Sequence, residues 1–228
     1  SDAANRLVAM GENPRYIFNV GTPGLDHLTR SKLPGRVELE NDLGFHFRKR
    51  NFLITFHPVT LDKMPFYEQI AALFQALDNF GPETGLIFTL PNADTDGRGL
   101  INHVEQFIAQ RDNACAYASL GQMRYLGTMA IADVVIGNSS SGLHEAPSLS
   151  TPSVNIGLRQ QGRLKAESIF DCSPENEAIT AAIEEALSFG GQVVETPYQQ
   201  GDCAELIVKE LTGIDDYSSL TLKQFYDR

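Results

Sequence analysis

Short apolar runs alternating with segments of helical period constrain this chain more than any other feature of its sequence. Runs at 16–20, 52–56, 86–90, 114–120, 134–136, 153–156 and 168–170 have the length and composition of strands. Between several of them, apolar residues recur with the spacing of one helical face. Ile70, Leu73, Phe74 and Leu77 form one such set, and Ile101, Val104, Phe107 and Ile108 a second. Ile179, Ile183 and Leu187 form a third, and Ala204, Ile207, Val208 and Leu211 a fourth. Ser173-Pro174-Glu175 gives the third helix a cap, a first-turn proline and a carboxylate at its positive end. Strands alternating with helices imply βαβ units and a mostly parallel sheet. The expected architecture is an α/β, Rossmann-like domain over 1–213, with an appended helix in 214–228 beyond the break at Gly213-Ile214-Asp215-Asp216.

The chain has 228 residues, 42% of them hydrophobic, enough for a full core. Its formal net charge of -11 repels nucleic-acid phosphates and anionic headgroups, which excludes both as general partners. The basic stretch 46–50 reads as a solvated loop. Cys115, Cys172 and Cys203 are widely spaced and show no metal-ligand pattern, so neither a disulfide framework nor a zinc site is expected. No run has the length of a membrane span and no signal-peptide pattern opens the chain, which sets a cytoplasmic expectation. The start at Ser1 without Met is expected to be that of a cut or processed piece.

In an open parallel sheet, ligands bind at the carboxyl ends of the strands. Five expected strand ends carry polar punctuation: Gly21-Thr22-Pro23-Gly24, His57-Pro58, Pro91-Asn92-Ala93-Asp94-Thr95-Asp96, Gly137-Asn138-Ser139-Ser140-Ser141-Gly142 and Gly157-Leu158-Arg159. The serine segment is the strongest, because small residues, hydroxyls and helix N-terminal N–H groups together suit a phosphate. The same serines equally suit the capping of a helix. There is neither a Walker loop nor a G-x-G-x-x-G fingerprint, which argues against ATP hydrolysis and NAD. Pro147 should keep the following helix short or kinked. Glu145 could reach a sugar diol or face solvent, and His57 could meet a phosphate or serve as a turn histidine. Arg159 and Arg163 could balance phosphate charge or be surface residues. Asn92, Asp94 and Asp96 could read sugar hydroxyls or form an ordinary turn. Taken singly each favours the bland alternative; placed at successive strand ends they make a polar crevice.

The segments 16–26, 55–60, 88–98, 135–142 and 155–163, in this order, resemble the carboxyl-terminal half of hydrolysing UDP-N-acetylglucosamine 2-epimerases of the sialic-acid-pathway type. The resemblance covers nearly the whole chain. It implies the C-terminal domain of a two-domain GT-B enzyme, with the ligand in the interdomain cleft. It would put Ser139 and Ser140 on the diphosphate, Glu145 on the ribose hydroxyls, Arg159 near the nucleotide and Tyr125 where an aromatic stacks on uracil. His57 would lie near the β-phosphate or sugar and matter for turnover, and Asn92 and Gly21 would join the substrate-binding set. The reaction it implies is loss of UDP to a glycal, then addition of water to give N-acetylmannosamine or a related sugar. Neither cofactor nor metal is implied. The partners implied are UDP, a UDP-N-acetylhexosamine and an amino-terminal domain that nothing here matches. The resemblance implies that this domain carries the acid and base, so this chain is expected to be catalytically incomplete. The 214–228 helix would cross back to it; alone, Leu220, Leu222, Phe225 and Tyr226 favour a homodimer. Leu158 departs from the family's frequent Asp. The nucleotide half of a GT-B glycosyltransferase and a non-catalytic UDP-binding domain are the alternatives.

Overall fold

Side-chain parity along the strands determines how this chain covers its sheet. The computed structural model describes residues 2–59, 64–91, 95–199 and 201–227, excepting the side chains of 29, 95–98 and 219. Six strands form one parallel sheet: β1 (Arg50–Thr55), β2 (Thr84–Thr89), β3 (Ala114–Tyr117), β4 (Val134–Gly137), β5 (Ser153–Ile156) and β6 (Ile169–Cys172). Phe52 and Ile54 of β1 point to one face with Leu86, Phe88, Val134 and Ile136, and pack beneath α4 (Phe66–Asp78), α5 (Thr95–Ile108) and α8 (Asn176–Phe189). Leu53, Ile87 and Val135 point the other way, toward α3 (Arg36–Leu43), α6 (Gly121–Ile131) and α7 (Ser141–Ser148). Both faces are covered, so the strands read as nearly continuous apolar runs rather than alternating ones. The Phe74 and Phe107 rings stack at 4.1 Å and fasten α4 to α5, with the Arg111 guanidinium 3.7 Å from the Phe107 centroid.

The strand order is β3-β2-β1-β4-β5-β6. The crossovers run outward from the middle in both directions, so the chain reverses between β1 and β4. The carboxyl ends of those two strands flank the topological switch point, where such sheets take ligands.

Two compact units divide the chain: Lys32–Pro197, which carries the whole sheet, and Ser1–Ser31 with Tyr198–Arg228. This division is discontinuous in sequence. Its cause is α9 (Cys203–Thr212), whose first N–H groups, from Cys203 and Ala204, donate to the Asp26 carboxylate at 2.9 Å each. The smaller unit also holds α1 (Asp2–Ala9) and α2 (Asp26–Arg30), and Arg30 donates to Asp202 at 2.8 Å.

Three expectations change. Residues 16–20 form no strand: Asn13 caps a 3-10 turn at Pro14–Tyr16, and a strand needs a paired neighbour that this segment lacks. The appended C-terminal helix shrinks to one 3-10 turn, Tyr217–Leu220, because the Tyr226 N–H goes to the Gly11 carbonyl at 2.8 Å and draws the chain out. Helix α8 starts after Glu175 rather than at a Ser173 cap. No helix among the described residues is long and apolar enough to cross a membrane.

Candidate functional site at the switch point

Gly137 makes the turn out of β4 possible. Its φ is +139°, and a Cβ there would lie 1.9 Å from the Thr55 carbonyl oxygen, so β1 and β4 can touch at their ends only with glycine in place. Asn138 follows, almost wholly buried. Its N–H donates to Thr55 O at 3.1 Å, and its side chain grips His57, accepting from His57 N at 2.7 Å and donating to His57 O at 2.8 Å. Its own carbonyl accepts from Arg159 Nη1 at 3.0 Å and Gln160 Nε2 at 2.7 Å. His57, Ser139 and Arg159, read separately from the sequence, thus meet around one residue.

The serines then open α7. Ser140 sits at the cap position in helical conformation, φ -65° and ψ -20°, and its hydroxyl makes no capping bond. Among the described residues it has no hydrogen-bond partner, so plain capping does not account for it. Ser139 Oγ accepts from Ser141 Oγ at 3.0 Å and more weakly from Ser141 N at 3.4 Å. Since Ser141 donates there, it must accept from the Tyr125 hydroxyl, 2.6 Å away, and Thr55 Oγ1 lies 3.4 Å behind that hydroxyl. Thr55 in turn meets Thr89 at 2.6 Å. A chain of hydroxyls therefore ends on Ser139, whose own O–H has no acceptor among the described residues and is polarised by the bonds behind it. No acidic residue occupies the first turn of α7, so its positive end is not compensated from within its own first turn.

Glu145 lies one turn into the same helix. Its Oε2 is buried and has no partner among the described residues, and burial pushes the carboxyl above the usual carboxylate range. Such an acid wants hydroxyl donors. The Tyr125 ring packs against the core beneath α3 and α6, and its hydroxyl faces the serine loop. Burial pushes that phenol up as well, holding it neutral as a donor. Arg159 is exposed apart from its bond to Asn138, and Leu158 beside it is 66% exposed. A cavity of about 10 Å³, room for one water, lies between Thr55, Gly137, Ser139, Ser153 and Asn155. An open cleft of about 520 Å³ between the ends of β5 and β6 shares Asn155 with it.

Gly21 lies in the smaller unit, at φ +82°. Asn92 and Asp94 fall outside the described residues, as does the Asp96 side chain. Among the described residues, no group of three His, Cys, Asp or Glu could hold a metal. Asn138, Thr55 and Gln160 were not foreseen as site residues. The signal for Asn138 was its place between the strand-end glycine and the serines, where a buried amide can supply hydrogen bonds that a departing strand no longer makes.

The family described as UDP-N-acetylglucosamine 2-epimerase matches residues 1–212. The chain is 38% identical over 168 residues to a GDP/UDP-N,N'-diacetylbacillosamine 2-epimerase (hydrolyzing) of Campylobacter jejuni, covering 73% of this chain and 43% of that protein. It is 32% identical over 226 residues to polysialic acid biosynthesis protein P7 of Escherichia coli, covering 97% and 57%. Its fold matches that of the Methanocaldococcus jannaschii UDP-GlcNAc 2-epimerase crystallised with UDP-GlcNAc and UDP, at a TM-score of 0.71 and 17% identity, over 92% of this chain and 58% of that one. The chain thus spans about half the length of these relatives.

Proposed function

Because the chain belongs to the UDP-N-acetylglucosamine 2-epimerase family, we propose that its serine loop and α7 hold the uridine diphosphate of a UDP-N-acetylhexosamine. The observation that carries this is the pairing, on one short helix, of a first turn without an acid and, one turn on, a buried carboxylate oxygen with no partner among the described residues. Phosphate oxygens suit the Ser139 and Ser140 hydroxyls and the first N–H groups of α7. Ribose hydroxyls suit Glu145 Oε2, which gains the donors it lacks. Arg159 adds charge beside the loop, and His57, held to Asn138, would meet the β-phosphate or the sugar.

In this reading the longer protein eliminates UDP. A base removes the C2 proton, the C2–H electron pair forms the C1=C2 bond, and the C1–O bond breaks with its electrons going to UDP. Water then adds, hydroxyl to C1 and proton to C2 on the opposite face, giving N-acetylmannosamine or its diacetamido relative. The residues here serve the departing group: fixed donors around Ser139 and Ser140 meet the negative charge that grows on the diphosphate. The acid and base belong to the remaining half of the length of the relatives, and this chain alone binds without turning over. In the smaller unit Phe18, Leu222 and Phe225 are exposed, Leu222 by 86%. Such side chains suit a covered surface, and sedimentation would show whether the chain pairs through them as a homodimer.

Calorimetric titration with UDP, and with ADP as control, tests the assignment. UDP should bind in preference to ADP. Ser139→Ala with Ser140→Ala should weaken it about tenfold to a hundredfold, the worth of one or two hydrogen bonds to a charged group. Equal binding of ADP and UDP would overturn the uridine assignment.

A further inference from the structure

We propose that Asn138 is a positioning residue that fixes the His57 backbone to the serine loop, so that the two approach one ligand as a rigid pair. The proposal rests on the nucleotide reading for what the pair does, and on geometry alone for the coupling. Every polar group of Asn138 is engaged. Its N–H holds Thr55, its amide oxygen and amide N–H₂ hold the two backbone groups of His57, and its carbonyl holds Arg159 and Gln160. The partners come from the ends of β1 and β5, and Asn138 itself is at the end of β4, so one side chain and one peptide tie together three loops at the switch point.

The geometry has a specific logic. The β1–β4 register ends at Thr55 opposite Gly137. Beyond it the strands part, and the backbone groups of His57 have lost their ladder. A primary amide offers one donor and one acceptor at nearly the separation of a strand's own backbone groups, so the Asn138 side chain stands in for one further rung. Asp could accept from His57 N–H but would set a carboxylate oxygen against the His57 carbonyl. The side chain is 1% exposed, so water does not replace a lost bond there cheaply. Gln160 is equally buried and reinforces the same point from the β5 side.

Amide hydrogen exchange on the wild-type chain is the first arm, and it needs no variant. The His57 amide lies two residues past the end of β1; clamped by Asn138 it should exchange about as slowly as the β1 amides, and exchange at the rate of an open loop would overturn the proposal. The second arm is Asn138→Asp. The folded variant should show shifted His57 ring signals and about tenfold weaker UDP binding, and combining it with His57→Ala should weaken binding no further than His57→Ala alone. Unmoved His57 signals in a folded Asn138→Asp chain, or additive losses in the pair, would overturn the coupling. If the wild-type chain binds no UDP, the nucleotide reading fails, while exchange and ring signals still decide whether the clamp exists.

Discussion

Two strand-to-helix turns at the same edge of the sheet, β4 into α7 and β6 into α8, both contain serine and are put to opposite uses. The first runs Gly137-Asn138-Ser139-Ser140, the second Cys172-Ser173-Pro174-Glu175. Neither helix receives a side-chain cap from its cap residue. At α8 the chain fills its own positive end: Glu175 sits in the extended cap position and Glu177 in the first turn. At α7 the first turn has no acid, the Ser140 hydroxyl has no partner among the described residues, and the preceding Asn138 spends its bonds on neighbouring loops. Helix α8 is scaffolding, 14 residues burying Ile179, Ala182, Ile183 and Ala186; α7 is eight residues long with Pro147 inside it. A helix end left uncompensated in a buried, rigid frame costs stability unless something outside the chain completes it. That difference, rather than the presence of serine, separates a site from a turn.

The largest test of the comparison is Gly137→Ala. The added Cβ meets a strand carbonyl at 1.9 Å and the backbone angle is one that alanine resists, so β1 and β4 must separate. A loss of about 3 kcal/mol or more, seen as a fall in Tm on the order of 10 °C, is expected in a melting experiment. Ser173→Ala, at an exposed position of the other turn, should stay within about 0.5 kcal/mol. Next is Ser140→Asp, which makes α7 compensate itself as α8 does. It should cut UDP binding by more than about a hundredfold through like charge, yet raise the ligand-free Tm by about 1–3 °C, since a carboxylate at a helix start is worth about 0.3–1 kcal/mol. Retained UDP affinity would mean that the start of α7 is not where phosphate lies.

The thiol at the second turn sharpens the contrast. Cysteines at helix starts usually have lowered pKa values. Cys172, just ahead of α8, is instead pushed up to about 12, first by burial and then by the charges of Asp171 and Glu175. Cys115 is pushed up to about 11 by burial. Both should resist iodoacetamide near about pH 8 in the folded chain. A Ser140→Cys variant, with the open end of α7 beside its thiol and no acid in the first turn, should be alkylated at least about a hundredfold faster than Cys172. Mass spectrometry of the labelled peptides reads the ratio directly; equal rates would show that the two helix ends are electrostatically alike.

How much of this was legible in the sequence follows from how local each cause is. Strands at 134–136 and 153–156 were readable almost to the residue, because a continuous apolar run between turn residues carries its own boundaries. Residues 16–20 have the same composition and form no strand, since pairing is not a local property. The discontinuous unit was not foreseen, because α9 is tied to Asp26 across 177 positions of sequence and no composition shift marks that bond. Within the candidate site, type and spacing alone left the serines open between phosphate and capping, and Glu145 between a sugar diol and solvent. The roles of Asn138 and the Tyr125 hydroxyl were not legible: the first depends on which loop β1 delivers beside β4, the second on the depth at which α6 lies against the sheet.

The smallest effect separates the two carboxylate sets by pH. Glu177 at α8 needs no explanation beyond the helix end it faces, whereas Glu145 on α7 has one buried oxygen without a partner among the described residues. Burial raises its pKa in the folded chain, so between the unfolded value and that raised value the folded chain binds more protons than the unfolded one. Stability from this group is therefore full below the unfolded value and is lost as pH rises through the folded one. Glu145→Gln removes the titration. The ligand-free variant should lose less stability than the wild-type chain between mildly acidic and neutral pH, with denaturant midpoints measured at both. UDP binding should meanwhile weaken about tenfold, because a neutral amide accepts ribose hydroxyls less strongly than a carboxylate. An unchanged pH slope would place the Glu145 carboxylate in water and take away the observation that ties α7 to a sugar diol, leaving the serine loop as a phosphate site alone.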